Sequence, residues 1–185
     1  MTTDAIDAST SALVLVDFQA RLMPAIHDAP NVVANALLLA RAAQLLGIPV
    51  LGTEQNPAGL GPNVAEVRRA CDRTLSKQRF DACADGLVEA LRAARAGCEH
   101  VVVAGCEAHV CMMQTALGLL RAGMRVWVVE GASGSRRPSD HAAAMRRLAQ
   151  ANATLVTPEM VVFEWLRDSD HPKFRDVLAL VKAAP

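Results

Sequence analysis

The sequence predicts a three-layer α/β/α sandwich built on a six-stranded, mainly parallel sheet, and three observations carry that expectation. Short apolar runs rich in β-branched residues recur along the chain, such as ALVLV at 12–16 and VVVA at 101–104. Strands of that composition are buried on both faces. Segments of helical periodicity separate these runs, so each connection is a right-handed crossover that lays a helix on one face of the sheet. The 185 residues, 52% of them apolar, suffice for one sizeable core, and no break in composition marks a second. A single domain over 1–185 is expected.

The elements follow in order. After a polar lead, 12–16 form the first strand and end on Asp17. Residues 21–27 are irregular, because Pro24 stops an early helix, and 31–46 form a long helix closed by Gly47. The second strand spans 48–53 and runs into TEQNPAGLGP (53–62), a loop punctuated by glycine and proline. A short helix is expected over 63–70 and an edge-like third strand over 73–78. Residues 81–96 are expected to be one helix, with Leu87, Leu91 and Ala94 on one face and Gly97 as the stop. The central strand at 101–104 leads through Gly105 into a helix from about His109 to Gly123. The remainder reads as a strand at 125–129, a loop GASGSRRP, a helix at 139–151, a strand at 154–157, and helices at 158–167 and 171–184.

Composition excludes several classes of function. Lys plus Arg equals Asp plus Glu, so the formal net charge is zero, with no basic face for nucleic acid or anionic lipid. Tyrosine is absent and aromatics are few, which removes stacking platforms for single strands. No apolar run approaches the roughly 20 residues that span a bilayer, and the amino terminus lacks a secretory pattern. The five cysteines (Cys71, Cys83, Cys98, Cys106 and Cys111) are odd in number and irregular in spacing, which fits a reducing cytoplasm better than a disulfide framework. No C-x-x-C pair, histidine cluster, dinucleotide fingerprint or P-loop occurs, so neither a metal nor a cofactor is expected. Apolar helix surface and low charge point to self-association as a homo-oligomer.

Three polar residues stand where catalysis in such a fold is placed, at the carboxyl ends of strands. Asp17 ends the first strand, Lys77 the third, and Cys111 opens the helix after the fourth. A carboxylate closing an apolar strand is costly unless paired or facing a crevice, although capping would also explain it. A lone lysine also suits an edge strand, and a lone cysteine a core. Together they suggest a nucleophile: a helix start stabilises a thiolate, and a nearby ammonium would bring a thiol with a free pKa of about 8.5 toward neutrality.

Four motifs carry a resemblance that covers nearly the whole chain. ALVLVDFQ, TEQNPAGLGP, SKQRF and VVVAGCEAHVCMMQTALGLLRAG, in that order, resemble the isochorismatase-like superfamily of cysteine hydrolases, which has a Rossmann-like fold. The TEQ-x-P-x-G-L-G-P loop and DHPKFRDVLALVK resemble its isochorismatase domain-containing branch. The resemblance implies a triad: Cys111 as nucleophile, Asp17 as general base and Lys77 orienting the acid. It implies a non-proline cis peptide at Cys106-Glu107 and an oxyanion hole from the N–H groups of Glu107 and Cys111. Nicotinamidases of this superfamily carry an Asp-x-His metal motif where this chain reads TEQNP, which implies metal-independent chemistry. True isochorismatases cleave a vinyl ether without the cysteine, so Cys111 points to a C–N bond of a small molecule. Phe18, Gln19, Gln55, Phe80 and His109 flank the triad in sequence and are candidates to line the pocket; Arg136 and Arg137 could meet a substrate carboxylate. Two other readings stay open: a catalytically silent scaffold, and a thiol redox sensor using Cys106 and Cys111.

Overall fold

The computed structural model describes residues 5–183. Six strands form one sheet in the order β3-β2-β1-β4-β5-β6: β1 (Ser11–Val16), β2 (Val50–Gln55), β3 (Arg73–Lys77), β4 (His100–Cys106), β5 (Arg125–Gly134) and β6 (Thr154–Val156). Every neighbouring pair is parallel. The helices are α1 (Ala29–Leu45), α2 (Pro57–Leu60), α3 (Ala65–Ala70), α4 (Leu87–Ala94), α5 (Met113–Arg121), α6 (Pro138–Gln150), α7 (Pro158–Leu166) and α8 (Phe174–Ala183).

The period of two along each strand divides the core. Leu13, Leu15, Val102, Ala104, Trp127 and Val129 point to one face, where they pack with residues of α1, α3, α7 and α8. Ala12, Val14, Val16, Val101, Val103, Val126 and Val128 point to the other, against α4, α5 and α6. The apolar runs are therefore continuous in sequence because both faces are covered. Among the described residues no helix is long and apolar enough to cross a membrane.

Several expected boundaries are corrected. The helix expected over 81–96 is interrupted: Asp81 caps a short 3-10 turn at Ala82–Asp85 by accepting from the Cys83 N–H at 2.9 Å, and Gly86, at φ 96°, breaks the path before α4. The expected loop after Val129 is in part strand, since β5 runs on to Gly134. Its register against β4 slips between Val103 and Gly105, and a side chain on Gly134 would strike Ile26, so a small residue lets the strand continue. Within TEQNPAGLGP, 53–55 belong to β2 and Pro57–Leu60 make one helical turn. The last helix starts at Phe174 rather than 171, and its expected end at Ala184 lies outside the described residues.

The strand order reverses between β1 and β4, which start crossovers in opposite directions and so leave a crevice beyond their carboxyl ends. Gly105 lets the two meet there. Its φ is +148°, and a Cβ would run into the main chain of Val16, its register partner.

Candidate active site

Asp17 leaves β1 at this switch point in a left-handed conformation, φ 54°, a conformation an aspartate tolerates better than most residues. Its N–H donates to the Thr53 carbonyl at 3.2 Å. Lys77 closes β3, in register with Gln55 at the end of β2. On the other side of Asp17, Cys111 lies in a π-helical turn, Ala108–Met112, that precedes α5. The Glu107 carbonyl anchors that turn by accepting from Val110 at 3.0 Å and Met112 at 3.2 Å. π turns of this kind often mark functional sites. The Cys106-Glu107 peptide bond is cis.

The three candidates meet. Lys77 Nζ donates to Asp17 Oδ2 at 2.7 Å, with the two side chains 1% and 0% exposed. The charges of both groups act on the Cys111 thiol. Thr53 Oγ1 donates to Asp17 Oδ1 at 2.6 Å, so both carboxylate oxygens are engaged. The expected shift of this thiol toward neutrality meets an opposing effect. Burial pushes the Cys111 thiol up to about 12, the Asp17 charge adds to that, and Lys77 only opposes it. One lysine already balances one carboxylate, and a thiolate would leave the buried group with a net negative charge.

The flanking candidates separate. Phe18 is fully buried in the core behind β1 and cannot touch a substrate. Gln19, equally buried, is a clamp: its Nε2 donates to the carbonyls of Gln55 (2.9 Å) and Gly61 (2.6 Å), and its Oε1 accepts the Gln55 N–H. The Gln55 amide is committed to Lys77 and to the Gln78 carbonyl. Phe80, by contrast, is 51% exposed, and His109 is half-buried with Nδ1 3.0 Å from Ser135 Oγ. Arg136 is tied by its Nε to Glu107 at 2.6 Å, while Arg137 is exposed just before α6. Sequence reasoning missed Thr53 as a partner of Asp17; the available signal was an uninterrupted polar triplet, Thr53-Glu54-Gln55, closing an otherwise apolar strand. Among the described residues no three or more His, Cys, Asp or Glu side chains converge as a metal site.

An all-parallel sheet with this order, faced by helices and carrying its polar cluster at the switch point, is the architecture of the isochorismatase-like hydrolases, and the chain belongs to that family. Residues 11–160 match the family model described as Isochorismatase domain. Isochorismatase domain-containing protein 2A of Mus musculus is 36% identical over 176 residues, 94% of this chain and 83% of the relative. Isochorismatase domain-containing protein 1 of Danio rerio is 36% identical over 180 residues, 95% of this chain but 62% of that longer protein. Among solved structures, the MAR1 ribonuclease from Caenorhabditis elegans superposes with a TM-score of 0.91 at 34% identity, covering 98% of this chain and 94% of its own. YcaC from Pseudomonas aeruginosa, solved with hexane-2,5-diol and covalent acrylamide, gives 0.88 at 28% identity over 97% and 93%. The YcaC gene product from Escherichia coli, described as an octameric hydrolase of unknown specificity, gives 0.83 at 26% identity over 98% of each chain.

Proposed function

We propose that this protein is a cysteine hydrolase that cleaves a C–N bond, of the amide or carbamoyl type, in a small molecule. The observation that carries the reading is the buried Lys77–Asp17 pair at 2.7 Å, whose two charges act on the Cys111 thiol. A thiol held neutral at rest needs a base at the moment of attack. As Sγ bonds to the substrate carbonyl carbon, its proton passes to the Asp17 carboxylate, and Lys77 offsets the negative charge. The N–H groups of Glu107 and Cys111 receive the oxyanion. Collapse of the tetrahedral adduct breaks the C–N bond, and the leaving nitrogen takes the proton from Asp17, giving an acyl thioester. Water then attacks the thioester, Asp17 accepts its proton, and the thiol is restored as the acid leaves. The steps use no metal or cofactor.

The covalent acrylamide described for the Pseudomonas YcaC relative supports a reactive nucleophile in this family. The ribonuclease named for the nematode relative is a weaker guide, because this chain has zero formal net charge and so no overall attraction for a polyanion. The octameric Escherichia coli relative supports a homo-oligomer, the cysteine usage a cytoplasmic location, and the length and even composition a single domain.

The test is mass spectrometry of the wild type and Cys111→Ala with acrylamide and iodoacetamide, together with ammonia release from a panel of small amides. Burial raises Cys71 and Cys83 to about 12 as well, so preferential labelling of Cys111 reports its neighbouring base rather than exposure. The wild type is expected to gain one adduct on Cys111, and the variant none, with its turnover lost and its melting transition retained. Equal labelling of all cysteines, or turnover surviving in Cys111→Ala, would refute the reading.

A further inference from the structure

Lys77 is held by more than its carboxylate. Its ammonium donates to Asp17 Oδ2 at 2.7 Å and to Gln55 Oε1 at 2.8 Å, while the Arg79 carbonyl stands at 3.4 Å, too far for a strong bond. The Gln55 amide has one permitted orientation. Its Nε2 donates to the Gln78 carbonyl at 2.7 Å and Lys77 has only donors, so the oxygen must face the ammonium. The backbone beneath it is also fixed, since the Gln55 N–H donates to Gln19 Oε1 at 2.8 Å and the Gln55 carbonyl accepts from Gln19 Nε2 at 2.9 Å. Gln19 and Gln55 thus form a reciprocal clamp between the exits of β1 and β2.

We infer that Gln55 is a positioning residue that fixes the Lys77 ammonium beside Asp17, so that its charge stays available to the Cys111 sulfur. This rests on the cysteine-hydrolase reading. Two strong acceptors on a rigid frame fix where the ammonium sits. The lysine stem has four rotatable bonds, and without the second acceptor the charge has more freedom to move away from Asp17. The neutrality of the amide matters equally. A second carboxylate at 55 would anchor the lysine as well but would cancel the charge that the thiolate needs, whereas an amide oxygen orients the ammonium and leaves its charge for the sulfur.

The experiment follows the rate of iodoacetamide alkylation at Cys111 by mass spectrometry from about pH 6 to 9, a range in which thiolate supply limits the rate. Wild type, Lys77→Met, Gln55→Met and Gln55→Glu are compared, with thermal melts recorded alongside. Gln55→Met is expected to lower the rate about threefold or more at each pH, a displacement of about half a unit. Gln55→Glu is expected to lower it further, because it adds a negative charge. A merely structural role would lower the melting temperature and leave the pH profile in place. A Gln55→Met profile that superimposes on wild type overturns the inference, and so does an unshifted Gln55→Glu profile should the methionine variant not fold. If Lys77→Met shifts the profile and Gln55→Met does not, only the positioning role fails; if Lys77→Met leaves the profile unmoved, it is the lysine's part in the hydrolase mechanism that fails.

Discussion

The two ends of the sheet bury polar groups in opposite ways. At the amino ends the buried polar side chains, His100 and Ser11, pair with uncharged groups. His100, the first residue of β4, is 3% exposed, and its Nδ1 accepts from Trp127 Nε1 at 3.1 Å with the two rings stacked. Trp165 Nε1 donates to Ser11 Oγ at 3.3 Å, and that hydroxyl donates to the Asp7 carbonyl at 2.6 Å. At the carboxyl ends full charges are buried: Asp17 and Lys77 stand beside a thiol whose ionisation the site resists. Neutral pairs close a core at little cost. A buried ion pair, by contrast, seldom stabilises more than apolar packing would, so its presence calls for a reason other than stability. The comparison teaches that the amino end is closed by neutral pairs, whereas the carboxyl end keeps a charged pair whose burial stability alone does not explain.

The strongest way to break this contrast is Lys77→Met. It leaves the buried Asp17 carboxyl without its cation, and is expected to lower unfolding free energy by about 3 kcal/mol or more in urea titrations. The double variant Asp17→Asn/Lys77→Met removes both charges and should recover a large part of that loss. If the double variant is no more stable than the single one, the carboxyl end is not governed by its charges.

A smaller effect is expected at the opposite end. Burial, with the Arg125 charge behind it, holds the His100 imidazole below its ordinary 6.5, so the unfolded chain binds a proton that the folded one resists. The sign follows from that. The contribution is fully present above pH 6.5 and is lost as the pH falls from the unfolded pKa through the lower folded one. Protonated imidazole cannot accept from the indole. His100→Asn, which keeps an acceptor for Trp127 but does not titrate, is expected to flatten the decline in melting temperature below pH 6.5. An unchanged slope would mean that the acid sensitivity lies elsewhere.

The smallest effect belongs to the rim. Arg136, its side chain 60% exposed, pairs with Glu107 at 2.6 Å. Arg136→Ala is expected to cost less than about 1 kcal/mol, and molar salt should remove the difference. A larger, salt-resistant loss would extend the buried-charge logic of the carboxyl end out to its rim.

The pattern of apolar runs and helical spacings made the strands and most helices legible, and Asp17, Lys77 and Cys111 stood out because each is a polar residue where an apolar element ends. What misled was adjacency in sequence. Phe18 follows Asp17 but is turned into the core by the left-handed conformation at 17. Gln55 lies 22 residues from Lys77, and only the parallel register of β2 with β3 sets them side by side. Thr53 ends the expected second strand, and its bond to Asp17 depends on β1 lying next to β2.

By itself the sequence determined the class of fold and the chemical cast of the site, because periodicity and residue type are local properties that burial on two faces must respect. The burial of the thiol, the lysine's second acceptor and the partner of each carboxylate oxygen were decided by tertiary structure alone. Those depend on the order in which strands assemble and on how completely the assembly excludes water, and both arise from contacts between segments that lie far apart along the chain.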